Sequence, residues 1–215
     1  GCILQLASNT NEVRIQGSTL YSEQAWALRF GSVLETVDVA LMAAGRAIHY
    51  TDLQRDIQEM GRDISERNVH ACLSSRSEVA LLWDRGTYIH REYVEIPFDL
   101  IHKIEADAIG RLKNGLPLLS VNGLFQEYQT QLQQHGVPTD RALYSCLKMA
   151  GKPELAYTRF PYITLEDEGS KRPTVFSILE DFVCEHEEGV ATAEIEQYLV
   201  SDLGVSDQLK YTYIY

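Results

Sequence analysis

Seven residues that return once along the chain constrain its fold more than any other feature. Arg67-Asn68-Val69-His70-Ala71-Cys72-Leu73 reappears 74 positions later as Arg141-Ala142-Leu143-Tyr144-Ser145-Cys146-Leu147, with Arg, Cys and Leu identical. Leu53, Leu124 and Ile195 each lie in a polar segment that opens a helix, and they are spaced by 71 and 71 residues. A recurring unit of this length predicts an array of one small module, not a scaffold built around one active site.

Helix and turn signals divide the chain accordingly. Val33, Leu34, Val37, Leu41 and Met42 recur at spacings of three and four, so a first helix over 33–44 is predicted, ended by Gly45. Thr51 is an N-cap candidate for a second helix carrying Leu53, Ile57 and Met60 and stopped by Gly61. Ser65 caps a third, whose inner stripe is Val69, Cys72 and Leu73. Val79–Trp83 and Thr87–His90 then read as a hairpin across Asp84-Arg85-Gly86. Three helices followed by a hairpin is the winged form of the helix-turn-helix.

The same order recurs after Pro97. Phe98, Ile101, Ile104 and Ile109 form one helix, Val121, Leu124, Phe125, Tyr128 and Leu132 the next, and Thr139 caps the third. Leu155–Tyr157 and Tyr162–Thr164 pair as a hairpin that Pro161 marks as an irregular edge, and Tyr162 and Ile163 follow Tyr88 and Ile89 by the same 74 residues. Beyond a polar linker at 166–173, Val175–Val183 and a helix capped by Thr192 begin a third unit that lacks a hairpin, with Ser206 as a further cap.

The N-terminus admits two readings. Leu6-Ala7-Ser8, Glu12-Val13 and Tyr21 match later positions and make residues 1–30 the tail of an earlier module. Alternatively they form an unrelated strand pair with a helix at Glu23–Phe30. The expected class is therefore mainly α with short β-hairpins, built as tandem winged-helix repeats. Its parts are an N-terminal hairpin and helix (1–30), winged helix 1 (31–95), winged helix 2 (96–167) and a partial winged helix 3 without its wing (168–215). A start at Gly1 without Met predicts a fragment of a longer protein.

The run Ala44-Gly45-Arg46-Ala47-Ile48-His49-Tyr50-Thr51-Asp52-Leu53, closed by Arg85-Gly86-Thr87-Tyr88, resembles the HARE-type winged helix of the delta subunit of bacterial RNA polymerase. The likeness spans about residues 33–93. Ala47 stands where that family often has Pro, and the second unit has Phe160-Pro161-Tyr162 in place of the Gly-x-Tyr wing. The resemblance implies a non-catalytic module acting near transcription, chromatin or DNA modification.

Charge and chemistry narrow the function. The net charge of −12 is uneven: residues 31–95 carry 11 acids and 7 bases, 96–172 nine of each, and 173–215 nine acids against Lys210 alone. A field of that sign opposes polyanions unless a local basic face overrides it. In a helix-turn-helix the outer face of the third helix and the wing reach the duplex. Here these offer Arg67, His70, Arg76, Arg85 and Arg91, with Arg141, Tyr144, Lys148, Lys152 and Arg159 as counterparts. Glu66 and Asp140 stand beside the two leading arginines and offer them local pairing instead.

Cys72 and Cys146 read as core residues, and Cys2 and Cys184 complete a set without disulfide or zinc spacing. Cys184-Glu185-His186-Glu187-Glu188 reads as an acidic turn, not a metal site. Trp26 and Trp83 read as packing residues, and Tyr211, Tyr213 and Tyr215 as a partly buried helix or a chain end. No phosphate loop, nucleophile elbow, paired-carboxylate signature, cofactor motif, signal core or membrane-length apolar run occurs, so a non-enzymatic cytoplasmic protein is expected.

Two functions remain open. One is duplex DNA binding by the basic faces of the first two units, in a transcription-associated role. The other is a protein-interaction scaffold, with a partner on the acidic C-terminal unit or a homodimer completing the unfinished modules, and no contact with nucleic acid.

Overall fold

A computed structural model describes residues 13–76, 78–166, 174–184, 186, 189–203, 205 and 212. The proposed caps and repeats at Leu6-Ala7-Ser8, Glu12 and Ser206, together with Cys2, Glu185, Glu187, Glu188, Tyr211, Tyr213, Tyr215 and residues 167–173 of the linker, lie outside these. The chain is mainly helical with small antiparallel sheets, and it divides into two compact units, Gly1–Glu95 and Ile96–Tyr215.

The first unit opens with a hairpin of β1 (Val13–Gln16) and β2 (Thr19–Ser22), in which half-buried Val13 and Ile15 alternate with exposed Arg14 and Gln16. Ser22 caps α1 (Glu23–Phe30) by accepting the Ala25 N–H at 3.1 Å. The carbonyls at the end of α1 are then held from two directions. Arg62 donates to Ala27 at 3.0 Å, to Leu28 at 3.3 Å and to Gly31, and Thr36 donates its hydroxyl proton to Ala27 at 3.0 Å. These bonds tie the N-terminal helix to the body of its unit.

That body is α2 (Val33–Ala44), β3 (Ile48–His49), α3 (Tyr50–Glu59), α4 (Glu66–Ser75), β4 (Ala80–Asp84), β5 (Thr87–His90) and a 3-10 turn at Arg91–Tyr93. A full capping box between Ser32 and Glu35 starts α2, and the bonds from Ser32 hold the Glu35 carboxyl below its ordinary range. The apolar stripes of the three helices meet the sheet in one core: Val37, Leu41, Ile48, Leu53, Ile57, Ile64, Val69, Leu73 and Tyr88 are all nearly inaccessible. Burying a side chain of that size contributes about 1.5–3 kcal/mol. α3 begins two residues before the sequence predicts, because the His49 ring nitrogen, not the Thr51 side chain, accepts the first-turn amide.

The second unit repeats the order with α5 (Phe98–Lys113), β6 (Leu119–Ser120), α6 (Val121–Gln134), α7 (Asp140–Ala150), β7 (Leu155–Arg159) and β8 (Tyr162–Leu165). Strand order matches as well: β3-β5-β4 in the first sheet and β6-β8-β7 in the second. The repeat extends to single bonds. The first residue of the middle helix donates to the hairpin turn in both units, Tyr50 to Gly86 at 2.9 Å and Val121 to Pro161 at 2.8 Å. The residue after the hairpin donates to the one before it, Arg91 to Val79 at 2.9 Å and Glu166 to Glu154 at 2.8 Å. Both hairpins carry a bulge, between Leu82 and Asp84 and between Tyr157 and Arg159.

Two sequence expectations change here. The hairpins match at an offset of 75, not 74: Ile48 pairs with Tyr88 and Leu119 with Ile163, so Tyr88 corresponds to Ile163 and Thr87 to Tyr162. α7 is one residue longer than α4, and the extra residue moves everything after it. β8, moreover, is the central strand of its sheet, because Pro161 lies in the turn before it and removes no ladder bond.

The C-terminal helices α8 (Val175–Cys184) and α9 (Thr192–Gln197), followed by a π-helical turn at Tyr198–Asp202, belong to the second unit. Val175, Ile178, Leu179, Leu199, Leu203 and Val205 close on Leu118. Thr192 is the first residue of α9 and not its cap, a position that Ala191 takes without a side-chain bond. No helix among the described residues is long and apolar enough to cross a membrane.

Candidate nucleic-acid interface

The third helix of each unit turns one face inward and leaves the other outside. On α4, Val69 and Leu73 are buried and Cys72 is half-buried against the core, while Arg67, Asn68, His70, Ala71 and Ser74 are exposed. Ser65 accepts the Asn68 N–H at 3.3 Å and sets where the helix starts. The inner stripe therefore fixes the rotation that presents Arg67 and His70 outward.

Rings pack beside this face. The His70 imidazole lies 4.8 Å from the Tyr50 ring and 6.1 Å from Tyr88, and His49 lies 4.6 Å from the other side of Tyr50. The Tyr88 and Ser74 hydroxyls are 3.0 Å apart, joining strand to helix. The hairpin turn presses on the same rings, so that a Cβ on Gly86 would sit 2.5 Å from His49 Nε2. Arg85 is exposed in that turn and Arg91 just after β5. Among the described residues Arg67, Arg85 and Arg91 form no ion pair.

Arg76 faces elsewhere. It ends α4 with Nε 2.6 Å from Glu78 and its terminal nitrogen 3.3 Å from Asp38, so both neighbours neutralise it within its own unit. Burial holds the Asp38 carboxyl above its ordinary range, against the opposing pull of Arg76.

The corresponding face of α7 is arranged differently. Arg141 lies with its guanidinium carbon 4.5 Å above the Phe160 ring and a nitrogen 3.5 Å from Asp140. Tyr144 is half-buried, edge-on to Tyr157 at 5.7 Å and to Phe160 at 5.6 Å, and burial raises its phenol above the ordinary range. Lys148 and Lys152 are exposed. The Arg159 side chain lies outside the described set.

Cys146 is fully buried, which pushes its thiol up to about 12, and burial raises the half-buried Cys72 as well. Neither is poised as a thiolate. Cys184 is exposed, and no group of metal-binding side chains occurs among the described residues.

Several polar groups escape the sequence reading. Arg111 forks onto Asp107 at 3.1 and 2.8 Å and onto Glu127 at 2.7 Å, with Tyr128 donating to Asp107 at 3.3 Å. The four-residue spacing of Asp107 and Arg111 was a visible signal for half of this cluster. Glu105 is buried, accepting the Lys152 amide at 3.4 Å through one oxygen, and its place between Ile101 and Ala108 on the inner stripe of α5 was equally visible. No family model, curated protein or solved structure matches this chain.

Proposed function

We propose that this chain is a non-catalytic, cytoplasmic module of tandem winged helices that binds duplex DNA in a transcription-associated role. The observation that carries this reading is the duplicated order of three helices with a three-stranded antiparallel sheet, in which the first strand pairs with the third. In such an arrangement the outer face of the third helix enters a groove and the hairpin reaches the adjacent backbone. The exposed Arg67 and His70, beside the exposed turn at Arg85, supply the matching chemistry.

Titration of a short mixed-sequence duplex at about 50 and about 200 mM salt tests the reading, because phosphate contacts make affinity fall steeply as salt rises. A binding constant that weakens by tenfold or more over this range is expected. No binding at the lower salt would overturn it.

A protein-binding role is favoured by a separate surface of the first unit. Tyr21 packs edge-on against Trp26 and Phe30, whose rings are tilted to each other, with centroids 4.9–6.0 Å apart, and the Arg29 guanidinium lies 5.7 Å from Phe30. Leu20 and Phe30 are more than two-fifths exposed. Aromatic and arginine side chains at a partly exposed site are the composition of interaction hot spots. In this second reading the chain is a scaffold that docks a protein partner, there or on its acidic C-terminal segment, or pairs with a second copy of itself.

A further inference from the structure

We propose that the two units are not equivalent readers: the first makes the phosphate contacts to duplex DNA, through Arg67 and Arg85, and the aromatic-covered start of α7 in the second unit makes none. This rests on the DNA-binding reading and refines it.

The repeat supplies an internal comparison. Arg67 and Arg141 occupy the same helical position, second in α4 and in α7. The hairpin register places Arg85 where the second unit has Phe160, since each lies between paired residues at the equivalent bulge. One difference in the turn decides the state of the helix arginine. In the second unit the Phe160 ring lies under Arg141 at 4.5 Å, and Asp140 adds a contact at 3.5 Å. The same ring packs on Tyr144, so the outer face of α7 around Arg141 and Tyr144 is covered by aromatic contact with its own hairpin, and Lys148 lies exposed a turn further along.

In the first unit that ring is replaced by a cation. Among the described residues Arg67 meets no such ring and no carboxylate, and the turn contributes a second charge at Arg85. His70, in place of Tyr144, remains exposed. A guanidinium stacked on a ring and beside a carboxylate must leave both to reach a phosphate, whereas an exposed one loses only water. The two acids nearest the first face do not reverse this. Glu66 forms no ion pair with Arg67 among the described residues, and Asp84 accepts the backbone N–H of Arg85 at 2.6 Å.

Two double variants of the full chain, each removing two positive charges, separate local contact from the overall field. Arg67→Gln with Arg85→Gln is compared with Arg141→Gln with Lys148→Gln, by anisotropy of a labelled mixed-sequence duplex at about 50 and about 200 mM salt. Thermal melts establish that both are folded. The first pair is expected to weaken binding at least tenfold and to lower the log–log salt slope by about 2, at roughly 0.9 for each phosphate no longer neutralised. The second pair should stay within about twofold of the parent, and Arg67→Lys with Arg85→Lys should restore most of the slope. If the α7 pair weakens binding as much as the α4 pair, the inference falls and the DNA-binding reading stands. If neither pair changes affinity while the parent binds, the inference likewise falls alone; if the parent does not bind, the DNA-binding reading fails and takes the inference with it.

Discussion

The carboxyl group of Glu105 lies on the apolar stripe of α5 with one oxygen bonded to the Lys152 amide and the other without a partner among the described residues. Burial raises its pKa above the ordinary 4.5, opposed by the Lys152 amide bond and by the charges of His102 and Lys152. The folded state therefore favours the protonated acid. Its contribution to stability is complete below about 4.5 and is lost as pH rises through the raised value, where the folded chain must bury a charge or keep a proton that the unfolded chain releases. Glu105→Gln keeps an acceptor for Lys152 and removes the ionisation. The variant is expected to match the parent near pH 4 and to exceed it near pH 8 by on the order of 1 kcal/mol in urea denaturation. Equal curves at both pH values would refute this account of the side chain.

Elements depend on turns as much as on helices. Gly86 has φ +67, and an added Cβ would stand 2.5 Å from the His49 ring that caps α3. Gly136 shares the left-handed backbone at φ +76 but has nothing within 4 Å of that position. Both Ala substitutions incur the left-handed penalty of about 1–2 kcal/mol, and only Gly86→Ala also displaces a neighbour. Its melting temperature should fall below that of Gly136→Ala. Identical losses would show that the turn and His49 are not coupled. Helix bounds were largely legible in sequence, because a cap such as Ser65 or Thr139 and an apolar stripe act within a few residues. The strands Ile48–His49 and Leu119–Ser120 were not legible. Two residues carry no alternation to read, and each becomes a strand only by pairing with a partner about forty residues further along. Sequence identity also misled at Tyr162 and Ile163. They share letters with Tyr88 and Ile89, but burial matches Ile163 to Tyr88 and Thr164 to Ile89.

At the scale of the molecule, each unit has its own core. Leu53 and Leu124 are equivalent and both inaccessible, one in each unit. Truncating either to Ala should cost about 2–5 kcal/mol, and hydrogen exchange should quicken in the unit that carries the change and hold in the other. Loss of protection spreading equally through both would contradict separate cores. The mainly helical class with short hairpins, and the inward positions of Val69, Leu73 and Cys146, were legible in the sequence alone, since helical periodicity and local caps determine which face of a helix can leave water. The local partners Glu78 and Asp140 stand beside these arginines in sequence, but which arginines also reach distant partners was decided only by the tertiary structure. Arg76 finds Asp38 and Arg141 finds Phe160, partners 38 and 19 residues away in the chain, and a cation's freedom to bind depends on what the fold brings within a few ångströms of it.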